Sequence, residues 1–177
     1  HQFIRQKKLP PLDEEKGAEQ FSLLIQWLRT AGYEHYEVSN WALPGMHSRH
    51  NSSYWSGAHY LGIGPSAHSF NGVSRQWNVA NNALYIKNIE AGLVPFEVEA
   101  LSSANRLNEH LMIRLRTARG LDLTALQLLA SARELEKIQH LLKKYERQGL
   151  VRMHHHTAQL TDTGMLQADG IAASLFV

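Results

Sequence analysis

Residues 131–161, SARELEKIQHLLKKYERQGLVRMHHHTAQLT, contain a helix, its stop and a β-ribbon in one run. Ser131 and Glu134, three positions on, form a capping box signature: the hydroxyl serves a first-turn N–H and the carboxylate reaches back to the cap. Leu135, Ile138, Leu142 and Tyr145 recur at helical spacing and make one apolar face. Gly149 follows as the stop, because glycine takes the left-handed conformation that ends a helix. The remainder, LVRMHHHTAQLT, reads as two short strands around a polar turn.

Working outward, NRLNEHLMIRLRTARG (105–120) puts Leu107, Leu111 and Leu115 on one face and ends at Gly120. LDLTALQLLA (121–130) predicts a second, short helix, and DTGMLQADGIAASLF (162–176) a closing one. Three helices, a β-ribbon and a last helix is the order of a winged-helix module. The expectation is an α+β winged-helix-like domain over 100–177, with Leu111, Leu115, Leu135, Ile138, Leu142, Leu150, Leu160 and Leu166 buried together. The extended stretch LVPFEVEALSS (93–103) reads as the linker into it.

Upstream, LPPLDEEKGAEQFSLLIQWLRTAGY (9–33) reads as a loop and then a helix. Asp13 is a natural N-cap, and Glu14 and Glu15 suit the positive end of the helix dipole. Phe21, Leu24, Ile25 and Leu28 give the apolar stripe, and Gly32 the stop. YEHYEVSNW (33–41) then alternates like a strand. A helix, a glycine turn and a strand predict one αβ unit of a parallel sheet or barrel. GVSRQWNV (72–79) is strand-like and NALYIKNIEAG (82–92) a short helix.

Composition excludes several classes. The 177 residues are 44% hydrophobic and 19% charged, which is ordinary for a globular chain. No apolar run approaches membrane-spanning length, and the start has no signal-peptide region. The first residue is His1, not Met; the expectation is a portion of a longer, cytoplasmic protein. There is no cysteine, so a disulfide, a thiolate zinc site or a Cys-ligated cluster cannot be built from this chain. The net charge of +2 gives no argument for nucleic acid. Residues 1–99 carry 8 basic and 9 acidic side chains, against 10 and 7 in 100–177, so the basic excess belongs to the second half and is modest.

The chemistry-bearing residues concentrate in RHNSSYWSGAHYLGIGPSAHSF (49–70), a segment that reads as too irregular for a helix. His47, His50, His59 and His68 are scattered without the spacing of a zincin helix. His154, His155 and His156 sit on a turn and suit a solvated tip better than one ion. Ser66 and Ser69 flank His68, but no GxSxG elbow occurs. Gly62 and Gly64 make either a tight strand edge or a place where backbone approaches a flat ligand closely. In HNSSYW (50–55), an imidazole able to ligate haem iron precedes two aromatic rings able to pack on a macrocycle. The competing reading of the same residues is a loop anchored by buried aromatics, with a hydrogen-bonded histidine.

YEVSNWALPG (36–45), RHNSSYW (49–55), YLGIGPSAHSF (60–70) and RQWNV (75–79), in that order, resemble the second half of oxygen-independent coproporphyrinogen III oxidase-like proteins, which are radical S-adenosylmethionine (SAM) enzymes. LMIRLRTARGLDL (111–123), KKYERQGLVRM (143–153) and LTDTG (160–164) resemble the C-terminal domain of the same family. The HNxxYW run is closer to the branch regarded as haem chaperones than to the oxidase. The resemblance implies a partial TIM-type (β/α)6 barrel whose last part is residues 1–99, then the C-terminal domain at 100–177. It implies SAM and a [4Fe–4S] cluster in the parent, with the cluster ligands in an N-terminal half that this chain lacks; the chain alone is expected to be inactive. It implies His50, Asn51, Tyr54 and Trp55 as haem or porphyrin contacts, with His50 on the iron and Arg49 on a propionate. It implies His68, with Gly62 and Gly64, as the wall of the SAM cavity. The partners it implies are haem or porphyrin, the N-terminal radical SAM half and a haem-accepting protein.

A second reading is a winged-helix nucleic-acid or protein-interaction module. Its recognition helix would be 134–148, with Lys137, Lys143, Lys144 and Arg147. Glu134, Glu136 and Glu146 on the same helix disfavour nucleic acid, since repeated phosphate contacts want a cleaner basic face.

Overall fold

A computed structural model describes Arg5, Gln6 and residues 13–177. The loop expected over 9–12 lies outside the described residues. Helix α1 (Glu14–Thr30) starts at Asp13, whose side chain accepts from the Lys16 backbone N–H. Its Ile25 is buried, and its Phe21 ring meets the Trp41 ring edge-on at 6.0 Å. Strands β1 (Glu34–Glu37) and β2 (Asn40–Ala42) follow as an antiparallel hairpin, with His35 stacked on Trp41 at 4.2 Å.

This corrects the reading of YEHYEVSNW as one strand of a parallel αβ unit. Glu37 carries the reason. Its carboxylate accepts from the Ser39 backbone N–H and from Asn40 Nδ2, so the chain reverses around it.

The segment expected to be irregular opens as a helix, α2 (Arg49–Trp55). Ser48 caps it by accepting from the Asn51 N–H, and Ser53 Oγ donates back to the His50 carbonyl. Serines next to a helix start act as caps; without that context they look like loop formers. Next come β3 (His68–Phe70), β4 (Ser74–Asn78), α3 (Asn82–Glu90) and β5 (Phe96–Ala100). The three strands form an antiparallel sheet in the order β3-β4-β5. The expected linker is therefore partly a strand, paired along its whole length with β4.

The second half begins with α4 (Ser103–Arg116), then β6 (Leu121–Asp122), α5 (Leu123–Leu126) and α6 (Ala132–Arg147). The Ser131–Glu134 capping box of α6 is formed in both directions. β7 (Val151–His154) and β8 (Thr157–Leu160) are the antiparallel ribbon, and β6 adds to β8. The closing helix is broken into α7 (Asp162–Met165) and α8 (Ala168–Leu175). The described residues thus form a mixed helix-and-sheet structure with three small antiparallel sheets and no closed barrel.

One continuous core joins α4, α5, α6, the β6–β8–β7 sheet and α8. Leu107, Leu111, Leu115, Leu121, Leu126, Ile138, Leu142, Ile171 and Leu175 are its largest fully enclosed side chains. Leu135 and Leu150 pack against it half-buried. Leu166, expected inside, is 40% exposed, because the break between α7 and α8 turns it out of the core. Gly120 has φ +72°, and a Cβ there would meet the Ala158 carbonyl, so only glycine fits where α4 runs into β6.

The first half is sewn to this core by backbone. The Val38 N–H donates to the Arg116 carbonyl and the Ala118 N–H to the Tyr36 carbonyl.

Candidate functional site

Helix α2 sorts the five candidate residues of the RHNSSYW run, Arg49, His50, Asn51, Tyr54 and Trp55, onto different sides. His50 and Tyr54 are four apart and share one face. Their rings meet edge-on at 5.1 Å, and Tyr54 Oη lies 3.4 Å from His50 Nε2. That distance is at the long limit of hydrogen bonding, so the imidazole nitrogen is only weakly engaged. Tyr60 continues the aromatic wall, 5.0 Å from Tyr54. His50 itself is exposed.

Arg49 and Trp55 face elsewhere. Both line a cavity of about 450 Å³ between α2, β1 and the end of α4. The Arg116 guanidinium sits 6.0 Å from the Trp55 ring. Trp55 Nε1 and Asn51 Nδ2 are buried donors without a partner. Tyr54 and Trp55 therefore do not flank one pocket, as an extended segment would have allowed. A flat ligand lying on His50 and Tyr54 meets Tyr60 rather than Trp55.

His68 is exposed on β3, in a cross-strand row with Trp77 and Glu97. With Ser66, Asn78, Pro95 and Phe96 these residues line a second cavity, of about 520 Å³. The loop before it, 61–67, is held by Asn78, a residue sequence reading passed over. Asn78 is 3% exposed; its Nδ2 donates to the carbonyls of Gly64 at 2.9 Å and Gly62 at 3.3 Å. The only sequence signal for it was an asparagine inside a strand, where that residue is disfavoured. Gly62 meets the backbone of His68, whose carbonyl a Cβ at this position would strike. The Gly64 N–H is hydrogen-bonded to Tyr85 Oη at 3.2 Å, and its φ is +107°.

The other histidines have separate surroundings. His47 pairs with Glu34 at 2.7 Å and stacks on Tyr36. His59 packs against Gly72. His155 holds φ +52° in the turn of the β7–β8 ribbon. Among the described residues no group of three or more His, Asp or Glu could hold a metal ion. On α6, Lys137 is exposed and donates to the Phe176 carbonyl. No helix among the described residues is long and apolar enough to cross a membrane.

Comparison with known proteins supplies the family. Residues 101–166 match the HemN C-terminal domain. The chain is 33% identical over 173 residues to the heme chaperone HemW of Mycobacterium tuberculosis, an alignment that takes in 97% of this chain and 42% of that protein. It is 29% identical over 192 residues to the bovine mitochondrial radical S-adenosyl methionine domain-containing protein 1, again 97% of this chain and 42% of the relative. The solved structure of coproporphyrinogen III oxidase (HemN) from Escherichia coli, a radical SAM enzyme, shares the fold with a TM-score of 0.68 at 20% identity, over 88% of this chain and 40% of that one. The chain spans 42% of the length of the first two relatives. The HemN C-terminal domain and the 33% identity across 97% of the chain lead to one assignment: the chain belongs to the oxygen-independent coproporphyrinogen III oxidase-like radical SAM family.

Proposed function

We propose that this chain is the C-terminal portion of a radical SAM protein that handles haem or porphyrin, and that it acts as a haem chaperone rather than as a coproporphyrinogen oxidase. The observation that carries the reading is the His50–Tyr54 pair on one face of α2, extended by Tyr60. It supplies an accessible imidazole beside an aromatic wall. The relatives named heme chaperone point the same way.

The residues fit a haem group. His50 would hold the iron, since imidazole is a standard donor to haem iron. Tyr54 and Tyr60 would give apolar surface for a macrocycle and limit water at His50. Asn51, one position on, has an unpartnered amide N–H for a carboxylate. When bound, haem brings the iron that this histidine would hold. A [4Fe–4S] cluster does not fit this chain, which has no thiolate to offer.

In this reading residues 1–99 are the last part of a partial (β/α)6 barrel and 100–177 a winged-helix-like domain. The continuous core of 107–175 and the β7–β8 ribbon after α6 support the second unit. His68 faces the SAM cavity. The N-terminal radical SAM half covers the exposed apolar side chains Leu61, Ile63, Val73, Phe96 and Val98, which are 49% to 85% exposed. Large apolar side chains left exposed in number suit an interaction surface.

Haemin titration tests the reading. The Soret band is followed for this chain and for His50→Ala, with circular dichroism as the control for folding. The expected result is a shifted band and weaker binding in the variant. Identical spectra and affinities would remove His50 as the ligand.

A further inference from the structure

The cavity on the far side of α2 has its own chemistry. At 100° per residue, Arg49, Ser52 and Ser56 point away from His50 and Tyr54. Across the cavity stand Arg114 and Arg119, from the last turn of α4 and the loop after it. Three arginines from separate parts of the chain thus line one concavity. Among the described residues none of the three forms an ion pair, whereas Arg29, Arg75 and Arg116 all do. No Asp or Glu is among the residues that line this cavity, and Glu34 engages the lining His47.

The walls add a second element. Tyr36 and Trp55 give flat apolar surface, and Trp55 Nε1 is a buried donor with no partner. Like charges brought together without counterions are costly, and a guanidinium fork matches a carboxylate or phosphate oxygen pair. At about 450 Å³ the cavity is within the range of small-molecule sites.

We propose that this cavity is an anion-binding site, separate from the His50 face, for a ligand that carries two or more carboxylate or phosphate groups on a flat apolar body. Arg49, Arg114 and Arg119 take the acidic groups, and Trp55 and Tyr36 take the body. The inference does not rest on haem binding at His50.

Two probes separate the sources of that chemistry. Metal-free coproporphyrin III carries carboxylates on a flat ring and needs no axial ligand; ADP carries phosphates on a flat base. Each is titrated calorimetrically into this chain and into Arg114→Gln, Arg119→Gln, His50→Ala and, as a remote surface control, Arg133→Gln. At least one probe should bind, with affinity falling as salt rises. It should bind about tenfold more weakly in each of the first two variants, the loss expected for one charge-assisted hydrogen bond. It should be unchanged in the other two. Arg119 is exposed, so its variant reports on the site even where Arg114→Gln disturbs the fold. Binding of neither probe, or binding that is indifferent to Arg119→Gln, would overturn the proposal. So would a loss in His50→Ala matching that in the arginine variants. Loss of the haemin Soret shift in His50→Ala with this binding intact would show the two sites to be independent.

Discussion

Arg116 Nη2 donates to Glu37 Oε1 at 3.2 Å, and this contact ties the first half of the chain to the second. Glu37 is 1% exposed, and its other oxygen accepts from Asn40 and the Ser39 N–H. Arg116 reaches on to Asp169 through Nη1. A carboxylate so enclosed has no water to fall back on. Arg116→Ala should cost about 3–5 kcal/mol, because it leaves a buried charge without its partner. Arg29→Ala breaks the solvent-exposed pair with Asp162 and should cost about 0–1 kcal/mol. Urea unfolding of the two variants decides: equal, small losses would mean that Glu37 gains its stability from the turn alone.

Leu142 and Leu166 make a second comparison. Both read as core in the sequence, yet Leu142 is 1% exposed and Leu166 40%. Leu142→Ala should cost about 2–5 kcal/mol through lost burial and the cavity left behind. Leu166→Ala should fall within about 1 kcal/mol, as for a surface change. A Leu166 loss as large as that at Leu142 would put the break between α7 and α8 in the wrong place.

His110 on α4 gives the fold a pH dependence. Burial is the main influence lowering the pKa of its imidazole, and the charge on Arg114 adds to this, against a weaker opposite pull from Asp122. Its Nε2 is buried without a partner. The folded state therefore takes up this proton less readily than the unfolded chain, whose imidazole titrates near pH 6.5 (about the ordinary value). Where the unfolded state binds more protons, stability rises with pH. The stability held by neutral His110 is complete above that range and is lost as pH falls through it. His110→Phe should flatten the decline of stability between about pH 7.5 and 5.5. Parallel stability curves for the two proteins would show that His110 is solvated.

The parts legible in sequence are those set by local chemistry. The Ser131–Glu134 box, the Leu107–Leu111–Leu115 stripe and the stop at Gly149 are each decided within a few residues. The hairpin at Val38–Ser39 was hidden because it turns on the Glu37 carboxylate, which stays buried only with Arg116, 79 positions away. HNSSYW looked irregular because its polar run has no apolar stripe; α2 buries no residue fully and owes its start to Ser48. For the candidate site, His50, Tyr54 and His68 stand out in the sequence by residue type, and how the fold groups them does not. Arg114 and Arg119 carry no local sequence signal, and only the packing of α2 beside them makes a cavity.

Asn78 offers the sharpest test of how the His68 cavity is held. Its Nδ2 donates to two carbonyls of the 61–67 loop, while its Oδ1 is buried and bonded to nothing. The contribution of this side chain thus lies in donation alone. Asn78→Asp keeps the shape, removes the donor and sets a carboxylate against the Gly62 and Gly64 carbonyls. It should cost more than the about 1–3 kcal/mol expected for buried groups left unsatisfied. Asn78→Ala should cost about that amount, because the two carbonyls lose their donor but gain no repulsion. Hydrogen exchange separates a local from a global effect. If Asn78 pins the loop, the amides of Gly64, Ser66 and Ala67 should exchange faster in both variants, with α4 and α6 protected as before. Gly62→Ala, which drives a Cβ into the His68 carbonyl, should loosen the same amides from the other side. Unchanged exchange at Ser66 and Ala67 in Asn78→Asp would mean that the Tyr85 hydroxyl and the β3–β4 pairing hold the loop without it.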